Sequence, residues 1–210
     1  MSLHIPKFYD GIISLGRNCH LRWFLKKLNL YKIENSIFDN MYSNDLSKVC
    51  DLIENKFVNF FDYENLEKCG ENPWKAYSIY DKKNNMFSYH DFYQNLSIEV
   101  YKNFKNKKNN QVKDFYENIE KFKSLLFIRV NHRKENLENT IRLFDVINKY
   151  RNGKFFDLYV FQNSKKIINQ VPKINNLYAF YDKDWVFNNG IWNGDEKLWS
   201  LIFKFVKIKP

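Results

Sequence analysis

The chain has 210 residues, 44% hydrophobic and 19% aromatic, which is enough apolar matter for one sizeable core and too much for a disordered polymer. Its net charge of +10, from 34 Lys and Arg against 24 Asp and Glu, is spread through Asn-rich stretches where acids accompany the lysines. No nucleic-acid motif accompanies that charge, so compositional bias is preferred over a nucleic-acid face.

Three cysteines, at 19, 50 and 69, form an odd set without paired spacing. They argue against a disulfide framework and a zinc site, so no metal is expected and a reducing, cytoplasmic setting fits best. The first residues lack an apolar signal core, and no run approaches the roughly 18 apolar residues of a membrane span. One domain over residues 1–210 is expected, without an integral membrane segment.

In chain order, the stretch from Gly11 to Leu28 comes first and is the richest. Ile12, Ile13 and Leu15 read as a buried strand, Gly16 as a sharp turn, and Asn18 as the N-cap of a helix whose Leu21, Phe24, Leu25 and Leu28 share one face. Cys19 is then the first helical residue. A thiol there meets unpaired backbone N–H groups and the positive end of the helix dipole, which favour a thiolate and suit an oxyanion.

A loop from Asn29 to Tyr42 carries Phe38-Asp39, and Leu46, Val49, Cys50, Ile53 and Phe57 make an amphipathic helix with Cys50 on its buried stripe. Cys69 falls in a polar loop. Strands Ala76–Tyr80 and Met86–His90 form a hairpin, and 101–111 reads as exposed lysine-rich chain. A helix with Val112, Phe115, Ile119 and Phe122 leads to the strand Leu125–Val130. A helix ending at Asn152-Gly153, the strand Phe155–Phe161, a short helix over 164–170 and a last strand Leu177–Tyr181 follow, then a terminal helix opened by Gly194-Asp195. This alternation predicts α/β architecture with one mixed, mostly parallel sheet flanked by helices and Cys19 at the first strand-to-helix turn. A papain-like α+β fold is the alternative.

A cysteine nucleophile needs a base. Of the four histidines, His4 lies in a tail and His20 points about 100 degrees away from Cys19 around the helix. His90, at a strand end beside Asp91, is the best candidate, with His132 next because it follows the strand ending at Val130. Asp39 or Asp91 can orient the base. Arg129, a charge inside an apolar strand, requires a partner, either a substrate anion or, preferably, a structural aspartate. Trp192 suits a pocket loop, whereas Trp199 suits the core.

Ser14-Leu-Gly-Arg-Asn-Cys19, Phe38-Asp39, Tyr89-His90-Asp91-Phe92 and Phe127-Ile-Arg129, with Trp192 and Trp199, occur in an order similar to that of a bacterial family of papain-like cysteine peptidases. The likeness departs at Ile37-Phe38-Asp39-Asn40, where flanking Pro and Trp are missing. The resemblance implies Cys19 as nucleophile, His90 as base and Asp39 or Asp91 as orienter. Gly16, Asn18, Arg129 and Trp192 are then candidates for the oxyanion or substrate.

The turn Gly16-Arg17-Asn18-Cys19 also resembles the Gly-Asn-Cys turn of enzymes proposed to acetylate capsular polysaccharide. A cysteine hydrolase acting on a peptide, small molecule or glycan without a cofactor is therefore expected. The alternatives are an acyltransferase using coenzyme A or acetyl coenzyme A, and a non-enzymatic binding module. Oligomeric state is left open.

Overall fold

A computed structural model of the chain describes residues 7–17, 19–33, 36–43, 45–72, 75–93, 96–131, 137–182, 186–188, 191–193 and 195–209, with backbone alone for 186–188 and 191–193. Strands β1 (Lys7–Tyr9) and β2 (Gly11–Ser14) precede helix α1 (His20–Lys27). Next come β3 (Met41–Ser43), α2 (Leu46–Glu54), β4 (Leu66–Glu71), β5 (Tyr77–Asp81) and β6 (Met86–Ser88). The long α3 (Ile98–Lys121) leads into β7 (Ser124–Val130), α4 (Leu137–Arg151), β8 (Phe155–Gln162), α5 (Lys165–Ile168) and β9 (Leu177–Tyr181). The order closes with β10 (Val186–Asn188), β11 (Ile191–Asn193), α6 (Glu196–Phe203) and β12 (Val206–Ile208).

The single mixed sheet expected from the alternation is instead two separate four-stranded sheets, with two further two-stranded pairs among the described residues. A four-stranded parallel sheet runs β2-β7-β8-β9, and a four-stranded antiparallel sheet runs β3-β6-β5-β4. Both come from one chain because the connection from β2 to β7 is long enough to contain the whole antiparallel sheet. The architecture is α/β, with a parallel sheet covered on two sides. No helix among the described residues is long and apolar enough to cross a membrane.

β7, Ser-Leu-Leu-Phe-Ile-Arg-Val, is buried at every position because both of its faces are covered. Its alternate residues divide two cores. Leu126, Ile128 and Val130 pack with Leu21, Phe24 and Leu25 of α1 and with Trp199, Ile202 and Phe203 of α6. Leu125 and Phe127 pack with α2, α3, α4 and the inner residues Met41, Ile79 and Met86 of the antiparallel sheet. Trp199 is a core residue: its ring meets Phe24 edge-on at 5.0 Å, and its indole N–H donates to Asp182 at 2.6 Å.

Several sequence expectations move. The lysine-rich 101–111 stretch is the first half of α3, which buries Phe104, Lys108 and Gln111 along the stripe that continues through Phe115 and Ile119. Cys69 lies in β4, not in a loop. Three strands follow β9: the hairpin β10-β11 and β12, which pairs in parallel with β1. Cys50 is buried on α2 as expected, and burial pushes its thiol up to about 12.

Arg129 shares the face of β7 that carries Leu125 and Phe127, and it points its guanidinium at the junction of the two sheets. The fork donates to Leu15 O (3.0 Å), Ser43 Oγ (2.6 Å), Ser43 O (3.2 Å) and Asn131 Oδ1 (3.3 Å). Among the described residues its acceptors are a hydroxyl, an amide and two carbonyls, where a structural aspartate is expected. Arg129→Ala strands those buried acceptors and leaves a cavity, so a loss on the order of 3–5 kcal/mol in urea unfolding is expected. Arg129→Lys should recover only a small part, since an ammonium cannot span the same acceptors. A loss below about 1 kcal/mol for the alanine variant would show that the junction is held by other contacts.

Candidate active site

The turn between β2 and α1 is fixed group by group. Leu15 N–H donates to Ile128 O (2.8 Å), Gly16 N–H to Ser14 Oγ (3.2 Å), Ser36 Oγ to Ser14 O (3.1 Å) and Ser43 N–H to Arg17 O (3.0 Å). Arg17, itself buried, donates from Nη1 to Asn131 O at 3.1 Å. Gly16 has φ +78°, a conformation that favours glycine, and a Cβ there would press on Phe38 Cβ at 3.1 Å. Arg17 follows at φ +92°, a conformation that a bulky residue holds only when its surroundings over-determine it.

Cys19 stands immediately before the first residue of α1, one position earlier than the sequence reading put it, and its side chain makes no capping hydrogen bond. The first helical bond is from Trp23 N–H to Cys19 O at 3.2 Å, so the N–H groups of the opening turn have no acceptor within the helix. The expected lowering of the thiol is overturned. Burial pushes it above its ordinary value and Asp39 adds to this, while the backbone N–H of Cys19 and the Arg22 guanidinium pull the other way. Burial of the half-buried sulfur outweighs the helix end. Asn18 lies outside the described residues.

Asp39 closes a turn onto Ser36. Its N–H donates to Ser36 O (3.0 Å), Ser36 N–H returns to Asp39 Oδ2 (3.0 Å), and the Tyr31 hydroxyl donates to the same oxygen. Asp39 is 1% exposed, and Oδ1 has no hydrogen-bond partner among the described residues. Burial lifts its carboxyl from 3.8 to about 6, against the pull of Tyr31, Arg22, Ser36 and Lys108.

His90 lies two residues beyond the end of β6, in the bend that leads to Asp91. Burial lowers its imidazole, Asp91 raises it and Arg22 lowers it further. Asp91 is held on all sides: Lys107 Nζ at 2.7 Å from Oδ1, Ser88 Oγ at 2.7 Å and Lys108 Nζ at 3.4 Å from Oδ2. The two lysines hold its carboxyl below the ordinary carboxylate value although burial acts against them. Burial lowers Lys108 to about 8, against the pull of Asp91.

Arg22, which the sequence reading passed over, is the common neighbour. Its charge acts on Cys19, Asp39 and His90 alike. The signal was available, because position 22 is three residues past Cys19 and shares its helix face. His20 turns instead toward Trp23 (5.4 Å) and Trp199 (5.8 Å). Arg129 lies beneath the turn, occupied by Leu15, Ser43 and Asn131. Trp192 is in β11, paired with Phe187 of β10, and its side chain is outside the described residues, as is all of His132. Among the described residues no His, Cys, Asp and Glu group could hold a metal ion.

A protein-family model described as "Putative papain-like cysteine peptidase (DUF1796)" matches residues 10–161. That span contains Cys19, Arg22, Asp39, His90, Asp91 and Arg129 and ends before Trp192. The chain is also similar to an uncharacterized protein of Acanthamoeba polyphaga mimivirus, 28% identical over 214 residues that take in 90% of this chain and 95% of the relative. No solved structure matches the chain significantly.

The raised carboxyl of Asp39 has a signed consequence. Between its ordinary value of 3.8 and about 6 the native chain holds a proton that the unfolded chain has released, so stability falls as pH rises through that window. Asp39→Asn removes the titration. Relative to wild type the variant should gain up to about 3 kcal/mol between pH 4 and pH 7, read from urea unfolding at each pH. A difference that stays constant across those pH values would rule out the raised carboxyl.

Proposed function

The chain belongs to the family described as papain-like cysteine peptidases, and from that premise we propose a hydrolase in which the Cys19 thiol attacks the acyl carbon of an amide or ester and His90 moves the proton. The observation that carries this reading is the family match over residues 10–161, which spans both Cys19, at the start of α1, and His90. A half-buried thiol at a helix start and a half-buried imidazole after a strand end both respond to the same guanidinium.

Burial raises one group and lowers the other, so thiol and neutral imidazole are the resting pair at pH 7, and the proton moves as the sulfur attacks. The sulfur–carbon bond forms, the carbonyl oxygen takes the electron pair, and N–H groups of the first turn of α1 receive the oxyanion. Collapse expels the amine or alcohol, which takes the proton from His90. Water then attacks the thioester, gives its proton to His90, and the acid leaves as Cys19 recovers a proton. The net change is amide or ester plus water to acid plus amine or alcohol.

Asp91, fixed by Ser88, Lys107 and Lys108, is the carboxylate whose charge supports His90 as it becomes cationic. Asp39 acts on the thiol instead. The family description supports hydrolysis; acyl transfer from coenzyme A to a glycan draws no support from it.

Incubation with p-nitrophenyl acetate, followed by intact mass, should give one acetyl group on wild type and none on Cys19→Ala. His90→Ala should slow acylation about 100-fold or more at pH 7. The wild-type rate should fall on an acid limb lying below pH 6.5, where the lowered imidazole gains its proton. Acylation of Cys19→Ala at the wild-type rate and stoichiometry would sink the proposal.

A further inference from the structure

Arg22 is more than a neighbour of the thiol. Cys19 immediately precedes α1 with helical φ and ψ, so position 22 stands about one turn along from it, with Cβ atoms about 5–6 Å apart, and long helical side chains lean toward the helix N-terminus, here toward Cys19. The side chain is half-buried, its guanidinium lies 5.6 Å from the centre of the Tyr31 ring, and Nη1 donates to Asn40 Oδ1 at 3.0 Å. Among the described residues that amide is its one hydrogen-bond acceptor, and no carboxylate lies within ion-pair distance of it. Most of a five-donor fork is thus oriented by a ring and an amide and still has donors to give.

We propose that Arg22 binds a substrate carboxylate carried within one residue of the acyl group that Cys19 attacks, so that the site selects acidic acyl compounds over neutral ones. The inference rests on the hydrolase reading above and names its substrate class. A single negative charge fits better than a phosphate, because one guanidinium faces it while the buried carboxyl of Asp39 stands close by. The carboxylate can be a chain terminus or an acidic side chain, and the chemistry at Arg22 is the same for both.

The test needs no known substrate. Iodoacetate and iodoacetamide form the same sulfur–carbon bond with loss of iodide and differ in charge. Their rate ratio on one thiol cancels the thiolate fraction, so a change in the pKa of Cys19 does not move it. Exposed Cys69, next to Glu67, is the internal reference. The iodoacetate to iodoacetamide ratio at Cys19, followed by peptide mass, should exceed that at Cys69 about tenfold, as for one charge-assisted hydrogen bond. It should fall to the Cys69 value in Arg22→Gln and recover in part in Arg22→Lys.

An equal ratio in wild type and Arg22→Gln overturns the carboxylate assignment while leaving the nucleophile in place. Failure of Cys19 to react with either reagent, while Cys69 reacts, brings down the hydrolase reading and this inference with it. Protection of Cys19 from iodoacetamide by N-acetylalanine identifies a terminal carboxylate, and protection by N-acetylglutamic acid α-amide identifies a side-chain one. Protection by inorganic phosphate alone, or equally by N-acetylalaninamide, overturns the proposal.

Discussion

The buried guanidinium of Arg129 is the constraint on which the site's position depends. A cation at 0% exposure between two sheets is costly to desolvate, and it persists because it is bonded to the last residue before the Gly16 turn, the last residue of β3 and the loop after β7. Ser43 completes the link, since its N–H also holds Arg17 O. The turn before Cys19 contains two successive residues at positive φ, and such a turn stays in place only when its carbonyls and amides are committed. Apolar packing sets the distance between the sheets, whereas Arg129 and Ser43 set the register at which they meet.

A second polar anchor works from the other side. Lys108 reaches from within α3 to Asp91, with Lys107 and Ser88 on the same carboxylate, and this fixes the bend containing His90. Asp39 is the unfavourable member of the set. It is buried with one oxygen unpartnered among the described residues, and Tyr31, Ser36 and Arg22 offset only part of that cost. Burial keeps the Cys19 sulfur protonated at rest, the charge of Asp39 adds to that, and Arg22 opposes both from one turn along the helix. The protonation of Cys19 is therefore set first by burial, then by its own backbone N–H and by two opposite charges.

What was legible in the sequence was whatever periodicity or turn chemistry wrote plainly. β7 and β8 read as apolar runs because both faces of the sheet are covered, α4 ends at Asn152-Gly153 with both residues at positive φ, and Asp195 caps α6. Cys19 at the strand-to-helix turn was readable for the same reason, whereas His90, expected as the last residue of its strand, lies in the bend two residues past it. The first half of α3 was not, because two positions of its buried stripe, Lys108 and Gln111, are polar and break the apolar period. The three-residue strands β1, β3, β10, β11 and β12 are too short for alternation to register. The direction of the thiol's shift was misread because helix-end electrostatics are visible in a sequence and burial of one sulfur atom is not.

The division into two sheets also accounts for the conflicting signals within the chain. A hairpin leading to a histidine suggested an antiparallel sheet facing a helix-borne cysteine, while the later alternation of strands and helices suggested a parallel sheet, and each was true of a different part. The cysteine follows the C-terminal end of a parallel strand, where open α/β sheets leave a crevice, and the histidine follows the end of an antiparallel one. Two elements from separate sheets keep a fixed relation only if the junction between them is rigid. Arg129 supplies that rigidity at the turn before Cys19 and Asp91 with Lys108 at the bend containing His90, while Arg22 stays partly exposed on α1.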